Sequence, residues 1–394
     1  MLAIAALFLT ISTLNAQQRP PLTEPQSKAV STPTNIVSPF EVTSPKADFQ
    51  SVVKEATYLK LNAENLQKAM KDQPREMIFS VPQKNGGKVE LLLERQDILT
   101  PDFKVTDQTG KVIPWQPGAY YRGVVLDRKK EDGKSESHDH QQMAALSIVD
   151  GEIMGMMSIE GDNYVLGKVG GEGGKKSSDY VLYNDANLSI ANNFHCQTAI
   201  EKHLKGTGQP ALGEMPVATN VVKIYFEADY QTYLDKGSSI GNVVAYVTGL
   251  FNMVATIYHN ESIVTQIQQV GVWTIPDPYP INTSSGSGDV LNSFSSAMSG
   301  GFPGDLAHLV STKNVGHGGI AWIDVLCYGS NKYYRTAYSN ISNSYNNFPL
   351  YSWTIDVVTH EMGHNLGSPH THDCAWGAGS NQSLDNCASN GGGC

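Results

Sequence analysis

Through residues 49–183 apolar and polar positions alternate with a period of two. KVELLLERQDI (88–98), YYRGVVL (120–126) and EIMGMMSIEGDNYVLGKV (152–169) each read as strands with one buried face. The charged run DRKKEDGKSESHDH (127–140) and the stretch GGEGGKKSSD (170–179) interrupt them as solvated loops, and His138 and His140 read there as surface residues rather than metal ligands. GTGQPALGEMP (206–216) combines Gly and Pro without periodicity and marks a boundary.

Beyond that boundary the pattern changes. NVVKIYFEAD (220–229) reads as a strand; Ile240, Val243, Val244, Val247, Leu250, Phe251, Val254 and Tyr258 then fall on one face of a helix. IVTQIQQVGVWTI (263–275) is strand-like, TSSGSGD (283–289) a loop, and GGIAWIDVLCYG (318–329) a largely apolar strand. YSWTIDVVTHEMGHNLG (351–367) carries a helix start at Ser352 and a stop at Gly367. Strand, helix, strand, strand, helix is an α/β order.

With 394 residues the chain has room for two to three domains and a sizeable core. A net charge of -10 argues against a nucleic-acid partner. MLAIAALFLTISTLNA (1–16) is an apolar run that ends before a polar Gln17-Gln18 and reads as a secretory signal without a basic start, against a short buried helix. No later segment reads as long and apolar enough to cross a bilayer, so no transmembrane segment is expected. Five cysteines are an odd number for a chain bound for an oxidising compartment.

The chemistry concentrates in THEMGHNLGSPHTHDC (359–374). On a helix His360 and His364 are one turn apart, so both imidazoles leave the same face and can share one metal ion. Glu361 is placed to reach a water on that metal rather than the metal itself. Gly367 lets the chain turn sharply and return His370 as third ligand; His372 competes for that role, and the glycine spacing favours His370. Three protein ligands leave a fourth position open, as in a catalytic zinc site. Zinc would polarise a peptide carbonyl while Glu361 takes the water's proton and hands it to the leaving amine.

His360, Glu361, His364, Gly367 and His370 together resemble the long metzincin zinc-peptidase motif. GHNLGSPH and DLAHLVSTKNVGHGGIAWIDVLC (305–327) resemble its adamalysin or reprolysin branch, while YYRGVV with AALSIVDGEIMGMMSIEGDNYVLGKV (144–169) is similar to that family's pro-domain. The resemblance covers roughly residues 50–394. It implies a secreted zinc-dependent endopeptidase made as a zymogen: an α/β (α+β) metzincin catalytic domain with a mixed β-sheet and active-site helix, preceded by a β-rich pro-domain. One catalytic Zn2+, protein or peptide substrates, and the chain's own pro-domain as intramolecular inhibitor come with it. Gly319, Ile320, Ala321 and Trp322 would bind substrate by backbone pairing.

The expected organisation is a signal peptide (1–16), a disordered lead (17–48), the pro-domain (49–205), a linker (206–218) and the catalytic domain (219–394). Two departures stand out. Thr371 follows His370 where the family often has Asp, with Asp373 two residues later. No methionine follows Met362 to supply the family's methionine turn, so the catalytic domain reads as lacking its C-terminal end. The resemblance pairs Cys327 with a cysteine beyond residue 394 and leaves one local pair among Cys374, Cys387 and Cys394. Cys196 reads as an inhibitory switch, its thiolate taking the open metal position, against a buried or disulfide-bonded cysteine. The competing function is a catalytically inactive zinc-stabilised binding or adhesive module, which Glu361 argues against.

Overall fold

The structure is a computed structural model, and it describes residues 35–45, 49–126, 142–169, 177–189, 196, 198, 221–328, 331–341, 348–377 and 381–385. The signal run, most of the lead, the loop carrying His138 and His140, the linker, Cys387 and Cys394 lie outside these residues.

Among the described residues the chain builds two sheets. The first contains β1 (Ile36–Val37), β2 (Phe40–Val42), β3 (Thr57–Leu61), β4 (Glu76–Pro82) and β5 (Lys88–Arg95). After β6 (Leu99–Asp107) it resumes with β7 (Ala119–Val125), β8 (Met143–Val149), β9 (Glu152–Ile159), β10 (Asp162–Lys168) and β11 (Asp179–Asn184). Its order is β1-β4-β5-β7-β8-β9-β10-β11-β3-β2, antiparallel apart from the parallel β1–β4 pair. Only two residues separate β1 from β2, so the opposite edges of the sheet are brought together and it curls on itself. The alternation seen in sequence has its physical cause here: Met77, Phe79, Val81, Leu91, Leu93, Tyr121 and Leu146 share one core inside the curl, with α1 (Ala63–Met70) contributing Leu66.

The second sheet has the order β15-β16-β14-β12-β13-β6, with β12 (Val222–Ala228), β13 (Thr265–Val272), β14 (Leu306–Ser311), β15 (Gly319–Ala321) and β16 (Thr336–Asn340). All its pairs are parallel except β15–β16. β6 is the feature the linear order hides. It lies in the N-terminal half of the sequence, yet its hydrogen bonds go to β13.

The helices are α2 (Tyr230–Asp235), α3 (Ile240–Asn260), α4 (Ser287–Met298) and α5 (Tyr351–Asn365). α3 starts at Ser239, whose side chain accepts from Asn242 N, and lies between the two sheets, packed on β7, β8 and β9 on one side and on β13 and α5 on the other. By length and composition α3 is apolar enough to cross a membrane, contrary to the sequence expectation; its apolar surface is spent instead on a core containing Val243, Val254, Ile267, Val270, Ile355 and Met362. α4 falls where only a loop was expected at its start: Gly286 N donates to Asp289 Oδ2, and Val290, Leu291 and Phe294 turn inward.

The strand expected over 318–329 is short. Among the described residues of that stretch only Gly319–Ala321 forms a strand; Trp322 follows it, and the backbone turns at Asp324, which has φ of 57°. α5 begins at Tyr351 rather than behind a Ser352 cap, and Ser352 Oγ donates to Asp185 Oδ1 at 2.8 Å instead.

Candidate metal centre and active site

α5 presents His360 and His364 one turn apart, with their Nε2 atoms 3.0 Å from each other. Its end is held by several backbone groups. Gly367 N donates to His364 O (2.9 Å) and Ser368 N to Gly363 O (2.9 Å), the two bonds of a Schellman motif that needs a left-handed residue at position 367. Gly367 supplies it with φ of 104°. Asp324 N and Val325 N satisfy the carbonyls of His364 and Asn365, and Asn365 Nδ2 reaches back to Trp322 O (2.9 Å) and Thr336 O (3.1 Å). Helix, turn and sheet are thus one fixture, and the chain emerging from the turn carries His370 onto the face of the first two histidines.

The ligand atoms of Cys196, His360, His364 and His370 all lie within 4.8 Å of one another. Cys196 Sγ is 3.5 Å from His364 Nε2. His364 Nδ1 is 2.7 Å from Ser368 O, so its other nitrogen faces the cluster. His370 has Nδ1 3.0 Å from Asp373 Oδ2, which also accepts from His370 N at 3.0 Å, while its buried Nε2 has no hydrogen-bond partner among the described residues. Asp373 therefore orients the third histidine from two positions beyond the place the family pattern uses. His372 stacks on His370 and stays outside the four-residue cluster.

These residues fit a zinc ion. An orphaned imidazole nitrogen, two further imidazoles and a thiol gather within 4.8 Å of one another, the nitrogen and sulfur donor types that zinc takes. Burial, then the neighbouring histidines, press His360 down to about 3; burial takes His364 down to about 4. Both are neutral near pH 7, the form that binds metal.

Glu361 lies beside Cys196 and Thr198. It is fully buried; Oε2 faces Thr198 Oγ1 at 3.4 Å and Oε1 has no hydrogen-bond partner among the described residues. Burial lifts its carboxyl well above the usual carboxylate range. The Cys196 thiol is raised too, first by burial and then by the Glu361 charge.

The carboxylate rests on Gly319: a Cβ there would stand 2.2 Å from Glu361 Oε1. Gly319 also pairs in parallel with Cys196, and Ala321 N donates to Thr198 Oγ1 at 3.1 Å. Of the sequence candidates, Gly319 and Ala321 thus meet the Cys196 segment at the sheet edge, and Ile320 lies between them in β15. Trp322 Nε1 instead donates to Ser295 Oγ at 3.0 Å.

Thr198, Asp373 and Ser368 went unassigned in the sequence. Asp373 alone carried a signal, an acid three residues after a ligand histidine; the partners of the other two depend on the fold. Cys196 and Cys327 are free thiols.

Residues 218–394 match Reprolysin_5, described as metallo-peptidase family M12. Among solved structures, the chain is similar to metalloproteinase-II from Bacteroides fragilis at 12% identity and a TM-score of 0.43, over 83% of this chain and 93% of that one. A second similarity is to a chaperone-substrate complex, at 12% identity and a TM-score of 0.28, over 75% and 48%. The family match supports a metallopeptidase that acts on proteins or peptides.

Proposed function

We propose that the chain is a secreted zinc endopeptidase of the adamalysin or reprolysin branch of the metzincins, made as a latent precursor that its N-terminal part inhibits. The observation that carries this reading is the convergence of His360, His364, His370 and Cys196 beside a buried Glu361. His360, His364 and His370 would hold the ion. When bound, zinc supplies a Lewis acid that polarises the scissile carbonyl and acidifies water.

Glu361 Oε1 takes the proton of the attacking water and returns it to the leaving amine nitrogen. Burial suits it to both tasks, because a carboxyl lifted above its usual range is a stronger base and remains a usable acid near neutrality. Gly319 leaves room for that carboxylate. The edge of β15 offers backbone groups to an extended substrate; Ala321 N, now bonded to Thr198, is one of them. Cys196 and Thr198 together occupy both halves of the site, the thiol at the histidines and the hydroxyl at Glu361 and Ala321 N.

The test is zinc content and cleavage of an unfolded protein by the Cys196→Ala chain with and without Glu361→Gln. Zinc in both and cleavage only in the first is the expected result. Cleavage by the Glu361→Gln chain would refute the role of that carboxylate, and no zinc in either would remove the metallopeptidase reading.

A further inference from the structure

His370 belongs to two groups of ligating side chains. One is the set of Cys196, His360, His364 and His370 described above; the other is His370, His372 and Asp373, whose ligand atoms also lie within 4.8 Å of one another. Asp373 stands between the two rings. Its Oδ2 accepts from His370 N and lies beside His370 Nδ1, both at 3.0 Å, while its Oδ1 faces His372 Nε2 at 3.8 Å. That last gap is too long for a hydrogen bond, and it is close to the separation of about 3.4 Å between two donors held by one tetrahedral zinc ion.

The pair is held in place before any ion arrives. The His372 ring stacks on His370, with centroids 5.0 Å apart and planes 11° from parallel. The backbone around it is fixed as well: Trp376 Nε1 donates to His370 O (2.7 Å), Leu384 N to Thr371 O (2.7 Å) and Asp373 N to His370 O (3.1 Å). The His372 and Asp373 side chains keep 22% and 14% of their surface exposed, so water can complete the coordination of an ion between them. One imidazole with one carboxylate is a donor set for zinc and its first-row neighbours, whereas calcium and magnesium require more oxygens than this pair supplies.

We propose that His372 and Asp373 form a second, weaker site for a divalent first-row transition ion, zinc foremost, beside the three-histidine centre. With two protein donors against three imidazoles, it fills after the first. The sites are coupled through one carboxylate: an ion on Asp373 Oδ1 draws off the charge that Oδ2 offers to His370, and that hydrogen bond is what orients the ring. Losing such a partner costs about 10–100-fold in metal affinity, so filling the second site loosens the ion in the first. The coupling rests on the reading of His370 as a zinc ligand; the second site itself does not.

The test uses the full chain carrying His138→Ala and His140→Ala, which removes the loop histidines as rival donors, stripped of metal and titrated with Co2+. Cobalt on the Cys196 thiolate has a sulfur-to-metal charge-transfer band that cobalt on His372 and Asp373 lacks, so the spectrum separates the sites. By equilibrium dialysis this parent is expected to bind a further equivalent after the band has saturated, and adding His372→Ala is expected to remove that equivalent and leave the band intact. A parent that stops when the band saturates, or a His372→Ala chain that binds as much as the parent, would overturn the site. Excess Zn2+ is then added to chains loaded with a single equivalent of cobalt. Displacement is expected to be about tenfold slower in His372→Ala than in the parent, and equal rates would overturn the coupling. If the band is absent from both chains, the assignment of Cys196 to the first ion fails, while the dialysis count still decides the second site.

Discussion

The contact between Gly319 and Glu361 turns the proposed substrate strand into a gauge of where the proposed catalytic carboxylate sits. In Gly319→Ala the added carbon would stand 2.2 Å from Oε1, 2.5 Å from Cγ and 2.6 Å from Cδ, all below any contact that real side chains show. To reach ordinary contact the carboxylate must retreat by about 1 Å. An exposed glutamate would swing aside at little cost. Glu361 is fully buried, with Thr198 and the helix around it, so the retreat displaces the carboxyl from the position where it meets water. A misplacement of about 1 Å costs about 100-fold in turnover, or about 2.7 kcal/mol of barrier. The three histidines are untouched, so zinc should stay bound. The assay is kcat on an unfolded protein substrate in the Cys196→Ala background, beside zinc stoichiometry and a thermal melt. A Gly319→Ala enzyme within about threefold of its parent would refute the placement of Glu361 against that strand.

Three further outcomes can be measured on the same protein. Gly367→Ala forces a side chain into φ of 104° against Asp324, so a loss of about 1–2 kcal/mol in denaturant titration and weaker zinc retention are expected; unchanged values would mean that the turn does not position His370. Ala321→Pro deletes the N–H now bonded to Thr198 and should raise KM more than it lowers kcat; a KM equal to the parent's would exclude this N–H from substrate binding. His308, buried in β14 with Nε2 2.8 Å from Ser339 Oγ, is pressed by burial down to about 3. Its folded pKa is depressed, so the unfolded chain binds a proton between about pH 6.5 and 3 that the native chain rejects. Stability is fully present above that window and falls with pH through it, by about 1.4 kcal/mol per pH unit from this group. His360 and His364 add the same sign in metal-free protein. His308→Asn should flatten the slope of unfolding free energy between pH 7 and 5 by about one proton, and an unaltered slope would contradict its neutral burial.

What the sequence disclosed follows the range of the forces involved. α3 and α5 are legible because an apolar face at helical spacing is written locally, and the strands of the first sheet because alternation is. The histidines of α5 are legible for the same reason, since one helical turn fixes their geometry. α4 escaped because Ser287, Gly288 and three later serines dilute the stripe of Val290, Leu291 and Phe294. The strand over 318–329 was overextended because apolar content does not reveal that Asp324 turns the backbone to cap the end of α5. Apolar content likewise could not say whether α3 faces lipid or protein. The partnership of β6 with β13, and of Thr198 with Glu361, joins residues more than 160 positions apart, and no local pattern encodes such pairs.

β6 also sets an order of events in time. Thr106 and Gln269 are 163 residues apart in the chain, so during synthesis β6 is complete long before the strand it pairs with exists. Closing so long a loop is entropically costly and slow, which places the seating of β6 among the late steps of folding. Until then Val105 and the β13 edge both stand open to unwanted neighbours, and the interval between them is when this protein is most exposed to aggregation.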